Sequence, residues 1–310
     1  MQLILAEPRG FCAGVRRAIE IVEKAIIKFG TPIYVKHEIV HNKYVVENLK
    51  AKGVIFTDDL SIVPDGATII YSAHGVSEAI EIEAKNKNML TIDATCPLVK
   101  KVHREVIKYA DDGCEIILIG HRGHPEIEGT AGRVKNDVIL VETTEDAKNI
   151  QPINPQKLAL ATQTTLSSDD TKEIVEILQK RFPILLENSK NDICYATQNR
   201  QDSVKCLIND YKIDILLTVG SANSSNSNRL KDIGTSFGIE SYLVNDASDL
   251  QESWFMRAKT IGITAGASAP DELVDGIIEF FKAKFLGTTI EIMNGIKEDT
   301  VFHLPREVRK

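Results

Sequence analysis

Short apolar runs alternate with longer amphipathic stretches along almost the whole chain, and no other feature limits its fold so tightly. The runs "LILA", "IYVK", "TIIYS", "EIILIG", "VILV", "LALAT", "ILLTVG", "SYLVN" and "TIGIT" are four to six residues long and rich in Ile, Leu and Val. Runs of that length, bounded by Gly, Asn, Asp and Ser, read as buried strands. Between them, helical patterns start near Gly14, Ser77, Pro97, Ser167, Asn226 and Pro270. The first puts Val15, Ala18, Ile19, Val22, Ala25, Ile26 and Phe29 on one face and stops at Gly30 and Pro32. Strand–helix alternation without long linkers predicts an α/β fold with mostly parallel sheets. The 310 residues are 43% hydrophobic and 26% charged, which is enough to bury a core.

The net charge of −7 speaks against a nucleic-acid partner, since such binders carry a basic footprint. No apolar run approaches the ~20 residues of a membrane span. "LILA" is too short for a signal-peptide core and is followed closely by Glu7, so a cytoplasmic protein is expected. The five cysteines are odd in number, in a large chain without a secretion signal. A disulfide framework is not expected. Buried thiols, catalytic thiols and metal ligands remain.

Three of those cysteines stand in like surroundings, at or near helix starts: Cys12 in "GFCAGVRRA", Cys96 in "DATCPLVKK" and Cys194 in "DICYATQNR". They lie 84 and 98 residues apart. After each, a helix and a strand lead to a polar loop, in turn "HEIVHN", "GHRGHPEIEG" and "GSANSSNSNR". Further on comes a second loop: "SAHGVS", "TQTTLSS" and "TAGASAP". Three kinds of feature recurring in one order read as three similar α/β lobes. The expected boundaries are 1–96, 97–193 and 194–285, with a C-terminal extension at 286–310 outside the pattern. Ligands gather at the carboxyl ends of parallel strands. If the lobes meet around a pseudo-threefold axis, all these loops face one central cavity.

A thiol at a helix N-terminus favours its anion. Three such thiolates suit an iron–sulfur cluster, which normally takes four, so one iron would stay open. Buried small residues at tight helix starts are the competing reading of the cysteines. Cys114 and Cys206 lack the shared surroundings and read as packing residues. Five of the seven histidines, His37, His41, His74, His121 and His124, fall in the strand-end loops. Zinc is one reading of them. The Ser, Thr and Asn donors around them favour phosphate oxygens, with loop N–H groups and helix N-termini assisting. Glu126, in "GHPEIEG", is a candidate proton carrier, and Glu128 is its equal on the residues alone.

These motifs resemble the 4-hydroxy-3-methylbut-2-enyl diphosphate reductase (IspH/LytB) family. The resemblance runs over nearly the whole chain and rests on "RGFCAGVRRAI", "VKHEIVHN", "SAHGVS", "DATCPLV", "GHRGHPEIEGT", "TQTTLS", "DICYATQNRQ", "VGSANSSNSNRL" and "TAGASAPD". It implies a three-lobed α/β fold with an iron–sulfur cluster at its centre. By resemblance, Cys12, Cys96 and Cys194 hold one [4Fe-4S] cluster with an open iron. His41, His74 and His124 face the diphosphate, joined by Ser224, Ser225, Asn226 and Ser268. Thr164 stands beside the substrate hydroxyl, and Glu126, now chosen over Glu128, delivers the proton.

The implied activity is reductive dehydroxylation of (E)-4-hydroxy-3-methylbut-2-enyl diphosphate to isopentenyl and dimethylallyl diphosphates, the last step of the non-mevalonate (MEP) pathway. The implied partners are the small-molecule allylic diphosphate and an electron donor of flavodoxin or ferredoxin type, serving a monomer. The rival enzyme is a non-redox [4Fe-4S] dehydratase acting on a phosphorylated substrate. A phosphate-ligand binding protein without a cluster is the rival from another class.

Overall fold

A strand whose every residue is apolar needs cover on both faces, and such strands belong in parallel sheets flanked by helices. That is what the apolar runs build. The computed structural model describes residues 1–187 and 192–309. The chain opens with β1 (Gln2–Leu5), α1 (Ala13–Phe29), β2 (Ile33–Lys36), α2 (Lys43–Ala51), β3 (Val54–Thr57), β4 (Thr68–Tyr71), α3 (Glu78–Asn86) and β5 (Leu90–Asp93). It continues with α4 (Pro97–Asp111), β6 (Glu115–Ile119), α5 (Pro125–Ala131), β7 (Ile139–Val141), α6 (Thr144–Asn149), β8 (Leu158–Thr162) and α7 (Ser168–Arg181). The last stretch is α8 (Tyr195–Asn209), β9 (Ile215–Val219), α9 (Ser225–Ser236), β10 (Glu240–Val244), β11 (Thr260–Ala265), α10 (Asp271–Lys284) and β12 (Thr289–Ile292).

Three sheets result, ordered β10-β9-β11-β1-β12, β3-β2-β4-β5 and β7-β6-β8. All their pairings among the described residues are parallel. The expected α/β class with parallel sheets is therefore what the chain forms. Two compact units contain them. Met1–Val15, His41–Asn48 and Tyr195–Val301 make the first unit, with the five-stranded sheet. Arg16–Val40, Leu49–Cys194 and Phe302–Lys310 make the second, with the other two.

Sheet membership departs from chain order at two elements. β1 falls inside the expected 1–96 segment, yet it pairs with β11 on one side and β12 on the other. β12 falls in the expected 286–310 extension and forms the sheet edge. The reason is β1 itself: Leu3 and Leu5 pack on one face of the sheet with α10, and Ile4 packs on the other with α8 and α9. Each such residue contributes roughly 1.5–3 kcal/mol on burial, so the run settles where both faces are covered. The three-stranded sheet repeats the logic. Ile117 and Ile119 join α7, whereas Ile116 and Leu118 join α4.

Close approach of α9 to the strand ends depends on two glycines. A Cβ on Gly266 would lie 2.0 Å from Ser227 Oγ, and one on Gly220 would lie 2.2 Å from it. Ser227 is fully buried between them. Gly266→Ala is expected to lower the unfolding free energy by about 1–3 kcal/mol, read as a shift in the denaturation midpoint. An unchanged midpoint would mean that Ser227 gives way without cost.

Candidate active site

In the first unit, Cys12, His41, Ser224, Ser225, Asn226 and Ser268 all lie in loops or helix starts beyond the carboxyl ends of strands. Cys12 directly precedes α1, and its N–H donates to Ala267 O at 3.1 Å. Ser268 Oγ donates to His41 O at 2.8 Å, and Lys43 N–H donates to Ser221 Oγ at 2.9 Å. These bonds tie the "VHNK" segment to two of the strand-end loops. His41 Nδ1 lies 3.5 Å from Asn223 Nδ2. Ser224 is the N-cap of α9, accepting from Ser227 N–H at 3.3 Å and Ser227 Oγ at 3.0 Å.

Asn226 is the residue here that most clearly awaits a ligand. Its Oδ1 accepts Ala267 N–H at 2.8 Å. Its Nδ2 is buried and has no hydrogen-bond partner. A buried donor left unmade is costly, and an anion's oxygen at the helix N-terminus would satisfy it.

In the second unit, Cys96, His74, His124, Glu126, Thr164 and Cys194 come from five further loops and helix starts. Cys96 is the N-cap of α4, with Pro97 at the first turn, and Cys194 directly precedes α8. Cys96 N–H donates to Ala73 O at 3.0 Å, and Cys194 N–H donates to Thr164 O at 2.9 Å. All three cysteine amides are thus tied to a second polar loop of the repeat: Ala267 beside Ser268, Ala73 beside His74, and Thr164 itself. None of the three is in a disulfide, and each is half-buried.

The rings of His74 and His124 meet edge to face, 5.7 Å apart. His74 Nδ1 lies 3.3 Å from Ser72 Oγ. His124 caps α5 by accepting Glu126 N–H on Nδ1 at 3.1 Å. An accepting Nδ1 carries no proton, so the neutral ring keeps its hydrogen on Nε2.

Glu126 is 3% exposed. Thr164 holds both of its oxygens, by N–H to Oε1 at 2.6 Å and by Oγ1 to Oε2 at 3.1 Å. Burial pushes the carboxyl up to about 7, against the two Thr164 bonds that favour the anion, with Asp192 adding a little in the same upward direction. A carboxyl poised near neutrality can both give and take a proton near pH 7. Glu128, its equal on sequence, is exposed.

Several expected residues lie elsewhere. His37 is paired with Asp58 beside the buried Lys36, and His121 is exposed. Cys114 is buried in the core, and Cys206 bonds Asp210, with burial first and that carboxylate next pushing its thiol up to about 11. His103 is a core histidine under the His74 loop. A Cβ on Gly75, whose φ is +79°, would come within 2.6 Å of its ring. Among the described residues, no three His, Cys, Asp or Glu side chains form a set around a single metal ion. The donor chemistry still fits an iron–sulfur group: three thiols, each at a helix start, each with its backbone fixed.

A family model described as "LytB protein" matches residues 3–282. The 4-hydroxy-3-methylbut-2-enyl diphosphate reductase of Polaromonas sp. is 54% identical over 309 residues, which cover 99% of this chain and 92% of that one. The same-named protein of Aromatoleum aromaticum is 51% identical, covering 99% and 98%. Among solved structures, the E-1-hydroxy-2-methyl-but-2-enyl-4-diphosphate reductase from Plasmodium falciparum superposes with a TM-score of 0.94 at 39% identity, covering 99% and 96%. A second structure, titled (E)-4-hydroxy-3-methyl-but-2-enyl diphosphate reductase, the terminal enzyme of the non-mevalonate pathway, gives 0.65 at 33%, covering 91% and 99%.

Proposed function

The chain belongs to the LytB family, and on that premise we propose that it reduces (E)-4-hydroxy-3-methylbut-2-enyl diphosphate to isopentenyl and dimethylallyl diphosphates. Two electrons and two protons enter, and the hydroxyl leaves as water. It is an oxidoreductase of the non-mevalonate pathway. The observation that carries the reading is the buried Glu126 carboxyl, held by Thr164 and poised near neutrality. A dehydroxylation needs such a group, because hydroxide is a poor leaving group until it is protonated.

When bound by Cys12, Cys96 and Cys194, a [4Fe-4S] cluster with one open iron supplies the Lewis-acid site and the electrons. The chain's own residues do the rest. His41, His74, His124, Ser224, Ser225, Asn226 and Ser268 bind the diphosphate oxygens. His124 donates from Nε2, because Nδ1 is engaged with Glu126 N–H. Asn226 donates from Nδ2, its unpartnered atom. With the carboxyl ionised, Thr164 Oγ1 donates to Glu126 Oε2. With the carboxyl protonated that bond reverses, Glu126 donates to Thr164 Oγ1, and the Thr164 hydroxyl hydrogen turns to the substrate hydroxyl oxygen. The proton then passes from Glu126 through Thr164 to the leaving oxygen.

The substrate is a small molecule, and a reductase needs an electron donor. A flavodoxin or ferredoxin fills that role in our reading, with a monomeric enzyme working in the cytoplasm. No helix among the described residues is long and apolar enough to cross a membrane.

Asn226→Asp keeps the acceptor for Ala267 N–H and sets a negative charge where a donor stood. It is expected to lower kcat/KM roughly 10–100-fold, chiefly through KM. A KM equal to that of the parent would remove Asn226 from the binding set.

The deciding experiment is anaerobic purification, iron and sulfide analysis, and turnover of the diphosphate with a chemical reductant. Brown protein that consumes substrate only when reduced is the expected result. Consumption without reductant would identify a non-redox dehydratase. Colourless protein that cannot be reconstituted would overturn the cluster assignment.

A further inference from the structure

Each of the three cysteines opens a helix, and each helix carries a cation in its first two turns. Arg17 lies five residues after Cys12, Lys101 five after Cys96, and Arg200 six after Cys194. Each grips the loop ahead of the next cysteine in chain order. Arg200 Nη1 also donates to Ala196 O at 2.8 Å, within its own helix.

Arg17 is 7% exposed. It donates to the carbonyls of Asp93, Ala94 and Thr95, at 3.3, 3.1 and 3.2 Å, the three residues directly before Cys96. Its Nε donates to His303 O at 2.8 Å. Lys101 Nζ lies 3.4 Å from Asp192 Oδ1, two residues before Cys194. The other oxygen of that buried carboxylate takes Thr162 N–H at 3.2 Å. Arg200 is 1% exposed. Its Nε and Nη2 donate to Gly10 O at 3.0 and 2.8 Å, two residues before Cys12. Glu298 neutralises it at 3.0 Å. The contact at two residues before the cysteine recurs each time, at Gly10, Ala94 and Asp192. The order closes on itself, from 12 to 96, from 96 to 194, and from 194 back to 12.

We propose that Arg17, Lys101 and Arg200 are positioning residues, each of which locks the loop of one cysteine to the helix that follows the cysteine before it in chain order. The proposal rests on reading those cysteines as cluster ligands. A guanidinium fork fixes the carbonyls it holds in direction as well as position, which a point charge does not. Desolvating a charge is costly unless it is fully bonded. Every guanidinium nitrogen of both arginines is bonded, and most of the bonds go to backbone carbonyls rather than to carboxylates. Partners of ligand-bearing segments set ligand orientation, and their loss commonly costs 10–100-fold in metal affinity. Lys101 is the weakest of the three, since it is more exposed and also lies 3.8 Å from Glu105.

The test uses Arg17→Lys, Lys101→Met and Arg200→Lys in the full chain. In the metal-free chain, alkylation by iodoacetamide at fixed pH is followed at each cysteine by mass spectrometry. The expected pattern is displaced by one step: Arg17→Lys raises the rate at Cys96, Lys101→Met at Cys194, and Arg200→Lys at Cys12. In the reconstituted protein, chelator extraction of iron is expected to quicken by about 10–100-fold for the arginine variants and less for Lys101→Met. A rise at the cysteine of the variant's own helix, an equal rise at all three, or no rise would each overturn the proposal. Should an arginine variant fail to fold, Lys101→Met, at a half-buried site, still reads the step from Cys96 to Cys194, and Lys101→Arg should restore the parent pattern. A parent chain that takes up no cluster would overturn the functional reading alone, because the alkylation pattern needs no metal.

Discussion

Glu126→Gln lowers kcat by about 10²–10⁴-fold, the usual worth of a positioned proton donor. The amide keeps the shape of the carboxyl, and its oxygen still accepts Thr164 N–H, so the loop around it should stay in place. Steady-state turnover with excess reductant measures the effect, and a variant retaining parental kcat would remove Glu126 from the reaction. The pH profile gives a second handle. The donor must be protonated, so activity should fall as pH rises through about 7. Stability follows the same proton with a definite sign. The folded carboxyl sits near 7, against an ordinary value of 4.5. Between those values the unfolded chain releases the proton and the native chain keeps it, so stability drops as pH rises through that window and levels off above it. The loss is on the order of 3 kcal/mol. Glu126→Gln should escape it. Denaturation midpoints at pH 5 and pH 8 should therefore diverge for the parent and not for the variant.

Cys96→Ser should abolish both the cluster and turnover while leaving the chain folded. Cys96 is the N-cap of α4, and its side chain makes no capping bond. Serine is among the best N-cap residues and is worth ~1 kcal/mol over a non-capping side chain there. The metal-free variant should accordingly unfold no earlier than the parent, which separates loss of a ligand from loss of the fold. Cys206→Ser is the control: that thiol bonds Asp210 and stands outside the ligand set, so iron content and turnover should be unchanged. Full iron and sulfide in Cys96→Ser would end the ligand assignment.

Both effects were within reach of the sequence because function here is written in loops with unusual composition. Cys96 followed by Pro97, and the "NSSNSN" cluster, stand out from their surroundings. The sheets were equally plain where strands are buried on both faces, as in "LILA" and "ILLTVG". β3, β5 and β12 are harder to see. β5 reads "LTID", with polar residues on alternate positions, and β12 is exposed along its whole length. α8 is visible mainly through the recurrence of the cysteine loop. Its buried face mixes Thr197, Arg200, Gln201 and Ser203 with Ala196, Val204, Leu207 and Ile208, so the apolar stripe is broken across its first half. The choice between Glu126 and Glu128 turns on depth, which spacing alone does not encode. Arg17 and Arg200 look like ordinary surface charges until the carbonyls they hold are located.

The placement of β1 bears on how the chain is made. Its two partners begin 255 and 284 residues downstream of Leu5. At the usual ~5–20 residues per second of synthesis, the ribosome delivers the first of them roughly 10–60 s after β1 emerges. Throughout that interval Leu3, Ile4 and Leu5, destined for the interior on both faces, have no sheet to join. Such long-range pairing is slow to form and exposed to wrong partners. Cover for its first strand until its last ones arrive is therefore a demand that this topology places on the nascent chain.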